Sequence, residues 1–345
     1  MSYISFQPSD YFNTKLYTGN ATTDHAQTGV GFQPDWLWIK ERGGTGGHIL
    51  VDAVRGVSSS STPFIKTNST GAEVSSNTND FIKSLDSDGF TLGADSYFTD
   101  VNKNSSTYAS WNWKANGAGS SNTDGSITST VSANTTSGFS IVSFNGQTGT
   151  VGHGLGVKPS MIILKCRAVS NNWVIQHKGL TGGMDENALI FTTSAEISAP
   201  TAEPTTSVFT VNNQIAENND NIAYVFAEKK GFSKFGSYTG NGNNDGSFIY
   251  LGFRPAWVMI KRTNTAEGWY IIDSKRTGFN EANYALIAQG SSAEETGTNR
   301  INLLSNGFKA TTSNTAVNGS SDNYIYMAFA EAPLVSSNGV PAVAR

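Results

Sequence analysis

Two aspartates recur at one place in a repeated stretch of the chain, and by residue type they are the best candidates for catalysis. Asp52 and Asp273 each stand three residues before an arginine, Arg55 or Arg276. A pair of acids about 5 to 10 Å apart in a cleft could hydrolyse a glycosidic bond. A third copy of the stretch has His177 at this position. The pattern therefore favours an aspartate that bonds a turn or pairs with its arginine. We predict no catalytic residue and no enzyme.

Residues able to bind metals are dispersed along the chain. The four histidines lack spacings such as HxH or HxxxH, and they are His25, His48, His153 and His177. His48 stands where the other copies have tryptophan, which indicates packing. An acidic loop at 243–245 leaves calcium open as an alternative, although no EF-hand pattern exists. We predict no metal site.

The single cysteine and the glycine-rich stretches also favour structural roles. Cys166 lies in an apolar strand-like run, which is typical of a buried, inert thiol, and no internal disulfide can form. The glycine-rich segments 43–47 and 152–156 open no helix, and no GK[ST] follows them. Phosphate binding is therefore not expected, and we predict no cofactor.

Tryptophans at alternate positions place two indoles on one strand face in two segments. The pairs are Trp36 with Trp38 and Trp111 with Trp113. Stacking on a sugar ring is one interpretation and core filling is the other. Equivalent positions in the third copy hold Trp257, Met327 and Phe329. Exchange between aromatic and aliphatic side chains favours the core, so ligand-binding residues remain unknown.

The repeat itself organises the chain. Three segments beginning at Gly31, Gly156 and Gly252 align without gaps over about twenty residues. They share a proline and, six residues later, a lysine: Pro34, Pro159 and Pro255, then Lys40, Lys165 and Lys261. Hairpin signals follow at 87–90 and 305–308. The period of roughly 95 to 125 residues is too long for a solenoid, so each copy is predicted to be a small domain.

Composition excludes several partners. The net charge is −4 and only 14% of residues are charged, without the basic cluster that nucleic acid requires. No basic amphipathic segment and no apolar run of about 20 residues is present, so membrane insertion is not expected. The 36 glycines favour turns, and the 11% aromatic content supports a buried core.

We predict an all-β chain of three tandem antiparallel, jelly-roll-like β-sandwiches with very little helix. The predicted boundaries are an N-terminal docking segment 1–16, a first sandwich 17–114, a polar linker 115–137, a second sandwich 138–230, a third sandwich 231–332 and an extended C-terminal tail 333–345.

Several motifs are similar to those of a known group of proteins. The stretches HGLGVKPSMIILK, FAEKKGFSKFGSYTGNG, GFRPAWVMIKR, LLSNGFK and YIYMAFAEAP resemble a recurrent domain of structural, tail-fibre-like proteins of marine tailed phages. The segments GVGFQPDWLWIKERG, VDAVRG and SDGFTLG resemble another copy of it. The resemblance covers most of residues 17–333. It implies a virion component and supplies no catalytic residues.

From this resemblance we expect a tail-fibre or tail-associated protein that takes part in host-surface attachment. Two alternatives stay open: a capsid decoration or head-appendage protein, and a carbohydrate-binding lectin module. The expected partners are other virion proteins and copies of the same chain, with a homotrimer favoured, and a host surface glycan is a further candidate. Such a protein is made in the host cytoplasm and released by lysis.

Overall fold

A computed structural model describes residues 7–57, 60–76, 80–98, 100–213, 216–278, 280, 282–298, 300–332, 334–335 and 341–342. The prediction of an all-β chain is confirmed: antiparallel sheets dominate, and the described residues contain one short α-helix and one 3-10 turn. No helix in these ranges is both long enough and apolar enough to span a membrane.

The first repeat begins earlier than predicted. After a 3-10 turn at Pro8–Asp10 it comprises β1 (Phe12–Thr18), β2 (His25–Thr28), β3 (Trp36–Glu41), β4 (His48–Asp52), β5 (Thr62–Lys66), β6 (Val74–Ser76), β7 (Ile82–Asp86), β8 (Gly89–Leu92) and β9 (Thr107–Trp113). The predicted docking segment 1–16 thus contains most of β1, which pairs along its full length with β9. Residues 1–6 lie outside the described residues.

The second repeat includes an unforeseen hairpin. It comprises β10 (Ser120–Asn122), β11 (Ser129–Asn134), β12 (Phe139–Asn145), β13 (Gly149–Gly152), β14 (Met161–Cys166), β15 (Val174–His177), β16 (Asn187–Ile190), β17 (Ile197–Ser198), β18 (Val208–Val211) and β19 (Asp220–Phe226). The linker prediction for 115–137 is wrong, because β10 and β11 extend the sheet beside β12. Polar composition concealed this: Val131 is buried, and the Ser132 hydroxyl accepts the N–H of Asn116.

The third repeat resembles the first in the order of its strands. It comprises β20 (Ser233–Thr239), β21 (Phe248–Tyr250), β22 (Pro255–Arg262), β23 (Trp269–Asp273), helix α1 (Ser274–Thr277), β24 (Leu286–Ile287), β25 (Ile301–Leu304), β26 (Gly307–Ala310) and β27 (Asn323–Ala330). In the tail, which was predicted to be extended, β28 (Leu334–Val335) and β29 (Pro341–Ala342) pair with each other. Residues 333, 336–340 and 343–345 lie outside the described residues.

Each repeat is a sandwich of one large and one small sheet. The large sheets have the orders β1-β9-β3-β4-β5-β6, β10-β11-β12-β19-β14-β15-β16-β17 and β20-β27-β22-β23-β24, and the small ones β2-β8-β7, β13-β18 and β21-β26-β25. In the first and third repeats the first strand lies beside the last and the second beside the last but one, as in a jelly roll. In the second repeat β12 and β13 take these places, beside β19 and β18. The predicted turns at 87–90 and 305–308 join β7 to β8 and β25 to β26.

The repeated prolines occupy equivalent places. Pro34 and Pro159 lie two residues before the first residues of β3 and β14, and Pro255 is the first residue of β22. Two residues later, Trp36 pairs with Asp52 and Trp257 with Asp273. The register that the sequence alignment implies is therefore the register of the sheets.

The three large sheets share one core, so the three sandwiches pack against one another. Both faces of β3 are buried: Leu37 and Ile39 face the small sheet of their own repeat, whereas Trp36 and Trp38 face the other two repeats. β14 and β22 divide their residues in the same way. The shared core includes Phe12, Trp36, Trp38, Trp111, Trp113, Phe139, Ile163, Tyr224, Phe226, Trp257, Met259, Trp269, Met327 and Phe329.

This arrangement predicts that a single repeat cannot fold as a soluble monomer. Residues 231–332 expressed alone would expose Trp257, Met259 and Phe329, all buried in the whole chain, on a contiguous apolar face. We expect aggregation or strong binding of a hydrophobic dye, measured by light scattering and fluorescence beside the full-length chain. A monomeric fragment with a cooperative melt would contradict the shared core.

Candidate functional site

The recurring aspartates form buried ion pairs. Asp52 accepts the backbone N–H of Arg55 at 2.8 Å and its Nε at 2.5 Å, and both side chains are fully buried. Asp273 repeats this geometry, with Nε of Arg276 at 2.6 Å, and it also caps helix α1. The predicted pairing of each aspartate with its arginine is confirmed.

Each of these arginines is held by a second acid. Arg276 donates through Nη1 to Glu294 at 2.7 Å and through Nη2 to the carbonyl of Ile271 at 2.8 Å. Burial opposes its charge, but Asp273 and Glu294 outweigh burial and raise the pKa of Arg276. The two acids thus bind one buried guanidinium, which differs from a glycosidase, where two acids face a substrate.

The aspartate position also joins neighbouring repeats. Asp52 accepts the hydroxyl of Tyr224 from the second repeat at 2.8 Å. Asp273 accepts Nε1 of Trp111 from the first repeat at 3.0 Å. The equivalent His177 lies with Nε2 3.2 Å from the carbonyl oxygen of Tyr326, in the third repeat. In each of the three copies the residue at this position therefore contacts the next repeat, and the three contacts form a closed cycle.

A second cycle runs in the opposite direction. One repeat position holds His48 in the first copy and tryptophan in the others. The ring N–H at this position donates to a backbone carbonyl of the preceding repeat. Its three bonds are Trp173 Nε1 to Lys66 O at 2.9 Å, Trp269 Nε1 to Ile190 O at 3.0 Å, and His48 Nε2 with Ile287 O at 3.0 Å. His48 thus occupies the place of an indole in bonding as well as in packing.

Backbone bonds reinforce the ring at equivalent residues. They are Glu73 N to Arg167 O at 2.7 Å, Glu196 N to Thr263 O at 2.8 Å, and Glu294 N to Arg42 O at 2.7 Å. Because the third repeat bonds back to the first, the chain builds a closed, threefold-like ring from its own three repeats.

Two of the three recurring lysines belong to the same interfaces. Lys165 donates to the carbonyls of Thr70 and Cys166, and Lys261 donates to those of Thr193 and Glu267. The third, Lys40, donates to the carbonyls of its own loop 41–44. Burial lowers the pKa of each to about 8. Lys165 and Lys261 therefore each join a loop of the preceding repeat to their own repeat.

Three histidines are held as neutral rings. Nδ1 accepts an N–H from Trp38 in His48, from Leu155 in His153, and from Gly179 in His177. In each ring Nε2 faces a carbonyl oxygen and is the donor. Burial lowers the pKa of all three, that of His177 to about 3. The fourth, His25, bonds the side chain of Asn102 at 2.8 Å.

The remaining sequence candidates are structural. Cys166 is buried, and the described residues contain no cluster of three potential metal ligands. Asp245, from the loop considered for calcium, pairs with Lys309. In the glycine-rich loop, the N–H groups of Gly46 and Gly47 bind carboxylates of the chain itself, Glu41 and Asp100.

The paired tryptophans fill the core, as the favoured interpretation predicted. Trp36, Trp38, Trp111 and Trp113 are at most 1% exposed. Trp36 stacks on Tyr224 of the second repeat with centroids 4.4 Å apart, and Trp113 meets Trp257 of the third edge-on at 5.7 Å. These indoles are not available to stack on a sugar.

One pocket lies where loops of all three repeats converge. We call it the axial pocket; its volume is about 280 Å³. Its lining comprises Thr67, Asn68, Ser69 and Thr70 from the first repeat, Asn172, Trp173, Phe191, Thr192 and Thr193 from the second, and Gln289 from the third. Thr67, one of the lining residues, also bonds the equivalent residue of the third repeat, its hydroxyl donating to the Ala288 carbonyl at 2.5 Å.

A second pocket of about 220 Å³ lies between the start of β1 and helix α1. Its lining includes Asn13, Ser274, Lys275 and Glu331. Neither Asp52 nor Asp273 lines either pocket. Sequence reasoning missed the axial pocket because its lining comes from loops far apart in the chain. The one available signal was that His48, Trp173 and Trp269, each with a ring N–H, stand at the same repeat position.

The chain was compared with protein families, with curated proteins and with solved structures. No curated protein and no solved structure matches it. One family model matches residues 7–333, which includes all three repeats and the whole shared core. The chain therefore belongs to the family described as Domain of unknown function (DUF7483).

Proposed function

We propose that this protein is a structural component of a bacteriophage virion, in a tail fibre or tail-associated position, and that it takes part in host-surface attachment. The motif resemblance to marine tailed-phage structural proteins supports the particle. The observation that carries the structural role is the closed ring, in which the recurring Asp, Arg, Lys and Trp residues build cores and interfaces.

The ring suits a rigid structural part that forms without disulfide bonds. Its three repeats are joined by ion pairs, buried indoles and backbone bonds, and the single cysteine, Cys166, leaves no internal disulfide to form. Such a unit keeps its shape while its loops present binding surfaces. One chain here supplies a threefold arrangement that other proteins obtain from three subunits. The homotrimer, like the absence of enzymatic activity, stays a prediction.

The position in the particle is tested by purifying virions and locating the protein by mass spectrometry and cryo-electron microscopy. We expect the protein in intact particles, in about a dozen copies at a rotationally symmetric tail site. Hundreds of copies on the head would instead favour the alternative, a capsid decoration protein. Absence from purified virions, with the protein present in infected-cell lysate, would overturn the proposal.

A further inference from the structure

We propose that the axial pocket binds a single neutral sugar ring of a surface glycan. This inference rests on the proposed role in host attachment and names the ligand for it. Among the described residues that line the pocket, none carries a formal charge; they offer hydroxyls, carboxamides and two aromatic rings. That chemistry fits a ligand with several neutral hydroxyls.

The pocket is formed before any ligand arrives. Its rim loops follow β5, β16 and β24, and cross-repeat bonds hold them. The carbonyl of Thr70 accepts Lys165 Nζ and the N–H of Asn171, and the carbonyl of Thr193 accepts Lys261 Nζ and the N–H of Glu267. Preorganised loops lose little entropy on binding. The exposed threonine side chains are left to face a ligand.

Two carboxamide side chains are held through their oxygen atoms only. Oδ1 of Asn68 accepts the backbone N–H of His48 at 2.8 Å, and Oε1 of Gln289 accepts that of Trp269 at 2.9 Å. Within the described part of the chain, their NH2 groups donate to no protein acceptor. Oriented donors of this kind recognise ligand hydroxyls and select strongly against ligands that lack them.

The size of the pocket favours one sugar ring. Trp173 and Phe191 belong to the lining and pack against each other with ring centroids 5.6 Å apart. The volume of about 280 Å³ lies just below the range of about 300–1,000 Å³ typical of pockets for drug-sized ligands. An anionic ligand would find no cation in this lining, and a flat base would find no exposed aromatic face, since Trp173 is 2% and Phe191 6% exposed.

The test measures binding of methyl glycosides of glucose, galactose, mannose and N-acetylglucosamine to the full chain by saturation-transfer NMR. Two variants address the pocket. Thr193→Arg fills it while leaving the backbone carbonyl that holds Lys261. Gln289→Glu keeps the oxygen that accepts the Trp269 N–H and removes the NH2 donor. Thr135→Arg, in the exposed turn between β11 and β12, is the matched control.

We expect at least one glycoside to bind the native chain and the control equally. Thr193→Arg and Gln289→Glu should weaken it at least about tenfold, with melting temperatures close to that of the native chain. Lack of binding by all four glycosides, or binding unchanged in Thr193→Arg, would overturn the inference.

The two proposals fail in distinguishable ways. A protein found in the virion that binds none of the glycosides loses its sugar site and keeps its structural role. A protein that binds a glycoside through the axial pocket but is absent from purified virions loses the virion role alone.

Discussion

Replacing Arg276 by methionine is expected to lower the free energy of unfolding by about 3–5 kcal/mol. The guanidinium is fully buried between Asp273 and Glu294. Methionine would leave the carboxylate of Asp273 buried without its cation, whereas Glu294 would keep its ion pair with Arg42. Asp273 also accepts Nε1 of Trp111, so the loss reaches the interface between the third and first repeats. Chemical denaturation monitored by tryptophan fluorescence measures the change.

The control for this variant is Lys309→Met, which removes an exposed ion pair with Asp245. Exposed pairs contribute little to stability, so its denaturation midpoint should match that of the native chain. Equal midpoints for Arg276→Met and Lys309→Met would refute the structural role assigned to the recurring aspartate and arginine.

Acidification from pH 7 to pH 5 is expected to destabilise the native chain by about 2 kcal/mol more than a His177→Gln variant. Burial lowers the pKa of His177 to about 3, whereas an unfolded histidine titrates near about 6.5. Below that pH the unfolded state binds a proton that the folded state does not, so stability falls as pH falls. The proton would displace the Gly179 N–H from Nδ1.

The comparison isolates this one ring, because the other titrating groups are common to both chains. They include Asp95, whose pKa burial raises to about 6 and whose effect on acidification has the opposite sign. Glutamine has a donor and an acceptor but does not titrate in this range, so its effect should be a constant offset. Denaturation at half-unit pH steps tests this, and parallel stability curves for the two chains would show that His177 titrates normally.

Local patterns in the chain predicted the fold class and the register. The gapless alignment at Pro34, Pro159 and Pro255 determines which residues face each other, because side chains alternate strictly along a strand. Asp-Gly and Asn-Gly pairs predicted the two hairpins for the same local reason. Replacement of Trp by Met or Phe at equivalent positions predicted core residues, since volume is what a core requires.

Amino-acid composition gave the wrong prediction where polar residues form backbone hydrogen bonds of a β-ladder. Residues 115–137 are rich in Ser, Thr, Asn and Gly, which favour loops, yet β11 pairs with β12 along its length. Hydrogen bonds of the ladder do not depend on side-chain type, and one buried Val131 is a weak signal. The early start of β1 was missed for a related reason, because its partner β9 lies about ninety residues away.

The sequence by itself determined three copies of one antiparallel sandwich, because repeat spacing and strand alternation are local properties of the chain. Only the tertiary structure decided that the three sandwiches close into a ring around one core. Closure depends on contacts between residues such as Asp52 and Tyr224, which are far apart in sequence. The axial pocket exists for the same reason, since loops from three repeats meet there only after the ring has formed.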